Sequence, residues 1–209
     1  MKFDKQKFFG DYRVRFGPLK QEQVNGLDFL LDQFALDDEL TMVRELAYVL
    51  ATVKGETGSF QPRKEIRATA ARNPSIFRLQ ERYWRTGFWG RGYVQLTWER
   101  NYRKAGQELL GKNLIVADKN GNPQNVAIDT ETFVKNPNWV MQPGAAYAIM
   151  SNGMRKGLFT GRKLSDFIKD GEPPDYKNAR RIINGTNEAE KFAGFANSFE
   201  LILRASRLE

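Results

Sequence analysis

The chain contains no cysteine and no histidine among its 209 residues. Without cysteine, disulfides and thiolate metal sites are excluded. Without histidine, Ser-His-Asp and Cys-His catalytic groups are excluded, and the usual zinc ligand is missing. If the chain is an enzyme, its acid–base chemistry must fall to carboxylates, lysine or tyrosine. The sequence implies no metal and no organic cofactor.

Long apolar runs are also missing. No stretch approaches the ~20 apolar residues of a membrane-spanning helix, so no stable membrane insertion is expected. Near the N-terminus, Asp4, Lys5 and Lys7 interrupt any apolar region, which does not fit a signal peptide. These features favour a protein made in the cytoplasm.

Basic residues are in excess, with a net charge of +8 and a pI of about 9.7. This balance favours an anionic partner such as nucleic acid, a membrane surface or an acidic polymer, and bacterial cell walls belong to the last class. The ordinary alternative is a soluble protein with a basic face. Length and composition fit one globular domain over residues 1–209, or one such domain with two lobes.

Helical spacing of apolar residues dominates the chain and predicts a mainly α fold with a small β element. A short strand is predicted at residues 93–97, and a hairpin around Asn120-Gly121. Residues 58–92 look irregular because proline and glycine interrupt them. The predicted helices span residues 20–35, 39–55, 99–110, 143–157, 161–170, 175–183 and 187–205.

Glu56 lies in the segment Lys54-Gly-Glu-Thr-Gly58, at the end of an apolar helix and before a glycine turn. It follows Val53 by three residues and is therefore expected on the buried side of the helix. Burial disfavours the charged form of a carboxylate, which is what a general acid requires near neutral pH. The alternative is an ordinary surface glutamate at a helix end.

Glu65 follows nine residues later, and two carboxylates joined by a loop can face each other across a cleft. Hydrolysis of a glycosidic bond needs such a pair. Glu81 and Glu99 compete with Glu65 for the second role.

The segment Trp89-Gly-Arg-Gly-Tyr-Val-Gln-Leu-Thr97 combines glycines, aromatic rings and polar side chains. Two glycines allow close approach of a partner, and Gln95 and Thr97 are expected on one face of a strand. Aromatic core packing beside a bulge is the alternative. Farther along, Asn184 in Ile182-Ile-Asn-Gly185 provides either a left-handed helix cap or an amide for a ligand.

In this order, the E-T-G, G-R-G-x-x-Q-L-T-x-x-x-N-Y and I-I-N-G segments resemble glycoside hydrolase family 19, and in particular its lysozyme-like phage endolysin branch. The resemblance spans about residues 40–200. It implies a two-lobed, mainly α, lysozyme-like or family 19 chitinase-like fold. It also implies an inverting reaction with carboxyl groups roughly 6.5–9.5 Å apart.

The resemblance assigns Glu56 as the catalytic acid, Glu65 as the base and Thr97 as a residue that holds the attacking water. The substrate-binding candidates are Gln95, Asn101, Asn184, Tyr93, Trp89 and Arg91.

One position departs from the family pattern, because Gly55 stands where the family usually has a histidine. The resemblance therefore implies that an orienting partner of Glu56 is lost.

These observations favour an endolysin that cleaves the glycan strands of peptidoglycan. It would be a monomer that stays in the host cytoplasm until lysis, when a permeabilising partner releases it to the cell wall and periplasm. Two alternatives stay open: a chitinase of the same family, and a catalytically impaired wall-binding protein. A nucleic-acid-binding protein is not supported, because no motif of that class is present.

Overall fold

The computed structural model describes residues 1–118 and 120–208, leaving Lys119 and Glu209 outside the description. The predicted mainly α architecture with a small β element is confirmed. The helices are α1 (Lys5–Phe16), α2 (Gln21–Leu36), α3 (Val43–Thr57), α4 (Pro74–Glu81), α5 (Glu99–Glu108), α6 (Thr132–Lys135), α7 (Pro143–Lys156), α8 (Tyr176–Ala179) and α9 (Ala189–Ser206). The strands are β1 (Arg63–Lys64), β2 (Arg91–Gly92), β3 (Asn113–Ala117) and β4 (Pro123–Ala127).

The chain divides into two compact units. The first unit combines Met1–Gln61 with the chain from Gly153 onward, and the second is Pro62–Asn152. Helices α1, α2, α3, α8 and α9 belong to the first unit, and α4, α5, α6 and the four strands belong to the second. Helix α7 begins in the second unit and ends in the first.

Helix α3 is the central element of the first unit. Every residue from Leu46 to Val53 is fully buried, as expected for a helix surrounded by other elements. Helix α9 packs along it. Gly58 ends α3 in the left-handed conformation (φ 64°), and its N–H donates to the Lys54 carbonyl at 3.0 Å. This turn holds Glu56 in the last turn of a rigid helix.

Aromatic rings from α1 pack beneath this helix end. Tyr12 contacts Phe60 and Phe199, with ring centroids 6.1 and 6.0 Å apart. The ammonium of Lys54 donates to the Tyr12 hydroxyl at 2.8 Å and lies 4.4 Å from the Phe16 ring centroid. Burial lowers the pKa of Lys54.

The sequence pattern does not predict α1, because charged and exposed residues dilute its apolar spacing.

The second unit contains two small antiparallel sheets. Strands β3 and β4 form the predicted hairpin around Asn120-Gly121, with Gly121 at φ 85°. Strands β1 and β2 pair Arg63 with Gly92 and Lys64 with Arg91. This second pairing joins residues far apart in sequence and brings the segment that carries Glu65 beside the glycine-rich segment.

Two helix predictions in the first unit need correction. Residues 161–170 form only a single 3₁₀ turn, Leu164–Asp166. The predicted helix 175–183 is α8 followed by a 3₁₀ turn, Arg180–Ile182, and the Asp175 side chain caps it as expected by accepting from the Asn178 N–H. No helix within the two described ranges is both long and apolar enough to span a membrane.

Glu200 ties α9 to its neighbours through a group of charge-assisted hydrogen bonds. Its carboxylate accepts from Tyr176 Oη at 2.8 Å, Arg44 Nε at 3.1 Å and Arg204 Nη2 at 2.7 Å. Burial opposes ionisation of this carboxyl, but the three hydrogen bonds outweigh burial and hold the pKa of Glu200 below its ordinary value. The ionised side chain therefore stabilises the fold.

We predict that Glu200→Gln lowers the free energy of unfolding at neutral pH by about 1–3 kcal/mol, since hydrogen bonds to a charged group are weakened. A group with a depressed pKa stabilises the fold above its unfolded-state pKa and loses this effect as pH falls through its folded-state pKa. The difference in free energy of unfolding between wild type and variant should therefore shrink as the pH falls. Urea unfolding across a pH series measures this difference. A difference that does not change with pH would contradict the stabilising role of ionised Glu200.

Candidate active site

Glu56 forms a buried ion pair in the first unit. Nη1 of Arg180 donates to Glu56 Oε1 at 2.6 Å, and the Arg180 and Glu56 side chains are 5% and 17% exposed. The expectation that Glu56 projects from the inner side of the helix agrees with this burial. The second carboxylate oxygen, Oε2, has no partner among the described residues, which leaves it available to a ligand.

Phe192 of α9 holds the guanidinium of Arg180 in place. The guanidinium carbon lies 3.9 Å from the Phe192 ring centroid, a distance at which the ring face attracts a cation. Arg180 Nε also donates to the carbonyl of Asn187 at 3.3 Å. The ring, the carbonyl and Glu56 together fix the guanidinium.

Gly55 is the position where the Phe192 ring meets α3. A Cβ atom on Gly55 would lie 2.3 Å from ring atoms of Phe192, a separation that a folded core does not tolerate. The aromatic ring thus fills the space that a side chain at this position needs. The family's histidine is absent here, and Arg180 is the side chain that orients Glu56 in its place.

Asn184 lies four residues after Arg180. Its backbone N–H donates to the Arg180 carbonyl at 3.1 Å, and its Oδ1 accepts from the Gly185 N–H at 2.9 Å. Asn184 is not among the residues with positive φ, so the left-handed cap interpretation was wrong. The side chain is exposed, and its amide nitrogen has no partner within residues 1–118 and 120–208.

Glu65 lies in the second unit and accepts three hydrogen bonds. Oε1 accepts from Tyr83 Oη at 2.6 Å and from Gln80 Nε2 at 2.9 Å, and Oε2 accepts from the Gly90 N–H at 2.9 Å. Burial and the bond to Glu65 raise the pKa of Tyr83, so its hydroxyl keeps its proton and donates. All three groups are donors, the arrangement that suits an anionic carboxylate.

Gly90 is the position at which Glu65 meets the glycine-rich segment. The Glu65 N–H donates to the Gly90 carbonyl at 2.8 Å, so the two residues exchange hydrogen bonds. A Cβ atom on Gly90 would lie 2.8 Å from Gln95 Oε1 and 3.2 Å from Glu65 Oε2. A side chain at position 90 would therefore press on the ends of the Gln95 and Glu65 side chains, which would have to move.

The predicted strand at residues 93–97 was wrong, because the chain forms a tight turn there. Arg91 and Leu96 exchange backbone hydrogen bonds at 3.2 and 2.8 Å, and Gln95 adopts the left-handed conformation with φ 53°. Gln95 and Thr97 therefore do not share a strand face. The Gln95 amide instead donates to the carbonyls of Arg63 and Gly92 at 3.0 and 3.2 Å.

Thr97 and Asn101 continue this hydrogen-bonded chain. The Thr97 hydroxyl donates to the Gln95 carbonyl at 2.9 Å, and Asn101 Nδ2 donates to the Thr97 carbonyl at 2.7 Å. Because the Thr97 hydroxyl is the donor in its bond to Gln95, its lone pairs remain free to accept a hydrogen bond from water. Both side chains are half-buried.

Arg91, between the two glycines, is 3% exposed, and its guanidinium is engaged by protein atoms. It donates to the Gly87 carbonyl at 2.9 Å, to Tyr102 Oη at 2.8 Å and to Asn138 Oδ1 at 3.2 Å. Arg91 therefore supports the turn from beneath and does not offer a free cation to a substrate.

The two aromatic candidates in this segment differ in exposure. Tyr93 is 1% exposed, so its ring belongs to the core. Trp89 is half-buried and stacks on Trp84, with ring centroids 5.1 Å apart. The Arg91 guanidinium carbon also lies 4.1 Å from the Trp89 ring centroid, so Trp84 and Arg91 both pack against this ring.

The competing carboxylates are engaged elsewhere. Glu81 pairs with Arg67, and Glu99 pairs with Arg103 at 2.9 Å. Within the described residues, no group of three or more acidic side chains is placed to hold a metal ion.

Sequence reasoning misses three residues: Arg180, Gln80 and Tyr83. Arg180 lies in the segment that ends in Ile182-Ile-Asn-Gly185, but the motif itself gives this arginine no role. Gln80 and Tyr83 lie in residues 66–88, where the sequence shows no family pattern.

One solved structure similar to this chain is the crystal structure of a chitinase C mutant. The TM-score is 0.44 at 19% sequence identity, and the match covers 97% of this chain and 91% of that chain. No protein-family model and no curated protein matches the chain. Family membership therefore stays a proposal that rests on the motifs.

We predict that Gly55→Ala destabilises the protein by about 1–3 kcal/mol, because the new Cβ overlaps the Phe192 ring. Helix propensity alone predicts the opposite sign, since alanine in a helix interior is favoured over glycine by about 1 kcal/mol. Gly10→Ala in α1 is the matched control, because no atom lies within 4 Å of the position that its Cβ would take. That variant should gain stability. Thermal unfolding shows whether each variant is more or less stable than wild type. A Gly55→Ala protein more stable than wild type would contradict the packing argument.

Proposed function

We propose that this protein is a glycoside hydrolase of the family 19 type that cleaves the glycan strands of peptidoglycan, with Glu56 as general acid and Glu65 as general base. The observation that carries the proposal is the contrast between the two carboxylates. Glu65 accepts three hydrogen bonds from fixed donors, whereas Glu56 is anchored through one oxygen and keeps the other free.

Glu65 suits the role of base. Tyr83, Gln80 and the Gly90 N–H all donate to its two oxygens and so fix its orientation, and a general base must be positioned before it accepts a proton. The Thr97 hydroxyl, with its lone pairs free, suits the task of orienting the attacking water.

Glu56 suits the role of acid. In the proposed reaction Glu56 enters as the neutral acid with its proton on Oε2, and Arg180 keeps Oε1 fixed. The ion pair with Arg180 forms once this proton has passed to the glycosidic oxygen. The positive charge of Arg180 also stabilises the carboxylate that remains after proton transfer, which lowers the energy of the charge that develops in the transition state.

The proposed reaction is a single displacement with inversion. Glu56 protonates the glycosidic oxygen as the bond between that oxygen and the anomeric carbon breaks. Water attacks the anomeric carbon from the opposite side and gives a proton to Glu65. The net change is the addition of one water molecule, and both carboxyl groups return to their starting states by exchanging protons with solvent.

Among the substrate-binding candidates, the exposed Asn184 amide is a free donor for a sugar chain. The Trp89 ring packs against Trp84 and Arg91, so we assign it to support of the loop. Gln95 and Asn101 use their amide N–H groups within the protein, so we assign them mainly to positioning. The net charge of +8 favours adsorption to an anionic wall. Release to the wall by a permeabilising partner and action as a monomer belong to the same proposal.

We predict that Glu56→Gln and Glu65→Gln each reduce hydrolysis by at least about 100-fold, since each removes a proton-transfer group. Turbidity loss of permeabilised Gram-negative cells measures lysis, and release of reducing sugar from purified peptidoglycan measures bond cleavage. Glu99→Gln is the matched control, because Glu99 is an exposed glutamate whose partner is Arg103, and it should keep full activity.

Three results would count against the proposal. Full activity of Glu65→Gln would remove the assigned base. Lysis by Glu56→Gln at the wild-type rate would indicate charge-driven lysis or another catalytic site. If the protein hydrolysed chitin oligomers but not peptidoglycan, the proposed acid–base mechanism would stand and the proposed substrate would be wrong.

We further predict that Tyr83→Phe lowers kcat by about tenfold to a hundredfold with little change in KM, because a hydrogen bond to a charged base contributes about 1.5–3 kcal/mol. Tyr176→Phe is the control, since it removes a comparable hydroxyl that donates to Glu200 at 2.8 Å. The control should lose stability but keep kcat. Equal loss of kcat in both variants would show a general structural effect.

A further inference from the structure

Positive charge is concentrated in one part of the second unit. Residues 63–85 contain seven arginine or lysine residues and two glutamates, a net charge of +5 in 23 residues out of +8 for the whole chain. Arg67 pairs with Glu81. Across the described part of the chain, none of the remaining basic residues of this segment forms an ion pair; they are Arg63, Lys64, Arg72, Arg78, Arg82 and Arg85.

Aliphatic side chains lie exposed among these charges. Ile66 is 87% exposed, Leu79 51% and Ile76 45%. Single exposed aliphatic residues need no explanation, but a group of them on one surface indicates an interaction site.

Helix α4 arranges the two kinds of side chain in neighbouring rows. Ile76 and Leu79 are three residues apart and Arg78 and Arg82 are four apart, so each pair lies on one side of the helix. Leu79 and Arg82 are also three apart, which places the rows next to each other. All four side chains are exposed. We call this surface, together with Ile66, the α4 face.

Ile66 is held beside α4 by a buried glutamine. Gln80 is 1% exposed, and its Nε2 donates to the Ile66 carbonyl at 2.9 Å while its Oε1 accepts from the Ala68 N–H at 2.7 Å. The Arg67 guanidinium carbon lies 5.7 Å from the centre of the Phe77 ring. These contacts make the loop and the helix one surface.

We propose that the α4 face docks on a membrane surface that contains anionic phospholipid. Unpaired arginines match lipid phosphates, and the adjacent aliphatic side chains match the boundary between headgroups and acyl chains. Nucleic acid or a wall polymer would match the arginines but would leave the aliphatic row in water. Charge complementarity and the aliphatic row together favour the lipid.

The test is flotation of the full chain with vesicles of phosphatidylcholine alone and of phosphatidylcholine mixed with phosphatidylglycerol. We expect binding to the mixed vesicles, weak binding to the neutral ones, and loss of binding as salt is raised. The Ile76→Ser, Leu79→Ser double variant should bind the mixed vesicles at least about tenfold more weakly, since it removes apolar area that the bilayer buries.

Leu201→Ser in α9 is the matched control, because Leu201 is 50% exposed and Leu79 51%. It should bind like wild type. The flotation assay contains no glycan, so its result is independent of the proposed hydrolase activity. Hydrolysis of purified peptidoglycan in the absence of lipid should be unchanged in the double variant, which shows that the variant is folded.

The proposal is overturned if wild type binds neutral and anionic vesicles equally, or binds neither. It is also overturned if Leu201→Ser weakens binding as much as the double variant does. If the double variant binds mixed vesicles normally but loses adsorption to purified peptidoglycan, the α4 face contacts the wall and not a lipid.

Discussion

A guanidinium that leaves water must have its donors satisfied by protein atoms, and this constraint shapes both units of the structure. Arg180 is 4% exposed and Arg91 3% exposed. Arg180 meets the requirement with Glu56, the Asn187 carbonyl and the Phe192 ring. Because removing one partner of a buried charge is strongly destabilising, each arginine fixes the backbone segments that supply its partners. Those segments carry the candidate site.

The two arginines affect the candidate carboxylates in different ways. Arg180 donates directly to Glu56 and so places a positive charge beside the proposed acid. Arg91 acts at a distance, because it holds the carbonyls of Gly87 and Trp89 and thereby the loop whose Gly90 N–H binds Glu65. One carboxylate is thus oriented by a side chain and the other largely by backbone and neutral donors. The proposed division into acid and base rests on this asymmetry.

Local patterns predicted much of the fold and less of the site. Apolar spacing located α2, α3, α5, α7 and α9 within a few residues, because each buries a continuous stripe. The turn at residues 93–97 was missed, since alternation of residue types does not reveal that Gln95 takes a left-handed conformation. Glu56 and Glu65 were predicted as acid and base; the structure shows each as a half-buried carboxylate with hydrogen-bond partners, and the catalytic roles stay a proposal. Their partners Arg180, Gln80 and Tyr83 lie 124, 15 and 18 residues away in sequence, and only tertiary structure brings them together.

The fit between Gly55 and Phe192 limits the order in which the sequence can change. Any residue larger than glycine at position 55 meets the aromatic ring at 2.3 Å, so a histidine there is accessible only after position 192 has become smaller. That first change would remove the ring that supports Arg180. The two positions are therefore epistatic, and single substitutions pass through a state in which the Glu56 ion pair is weakened. A lineage with this glycine is expected to keep its aromatic partner as long as selection keeps the ion pair.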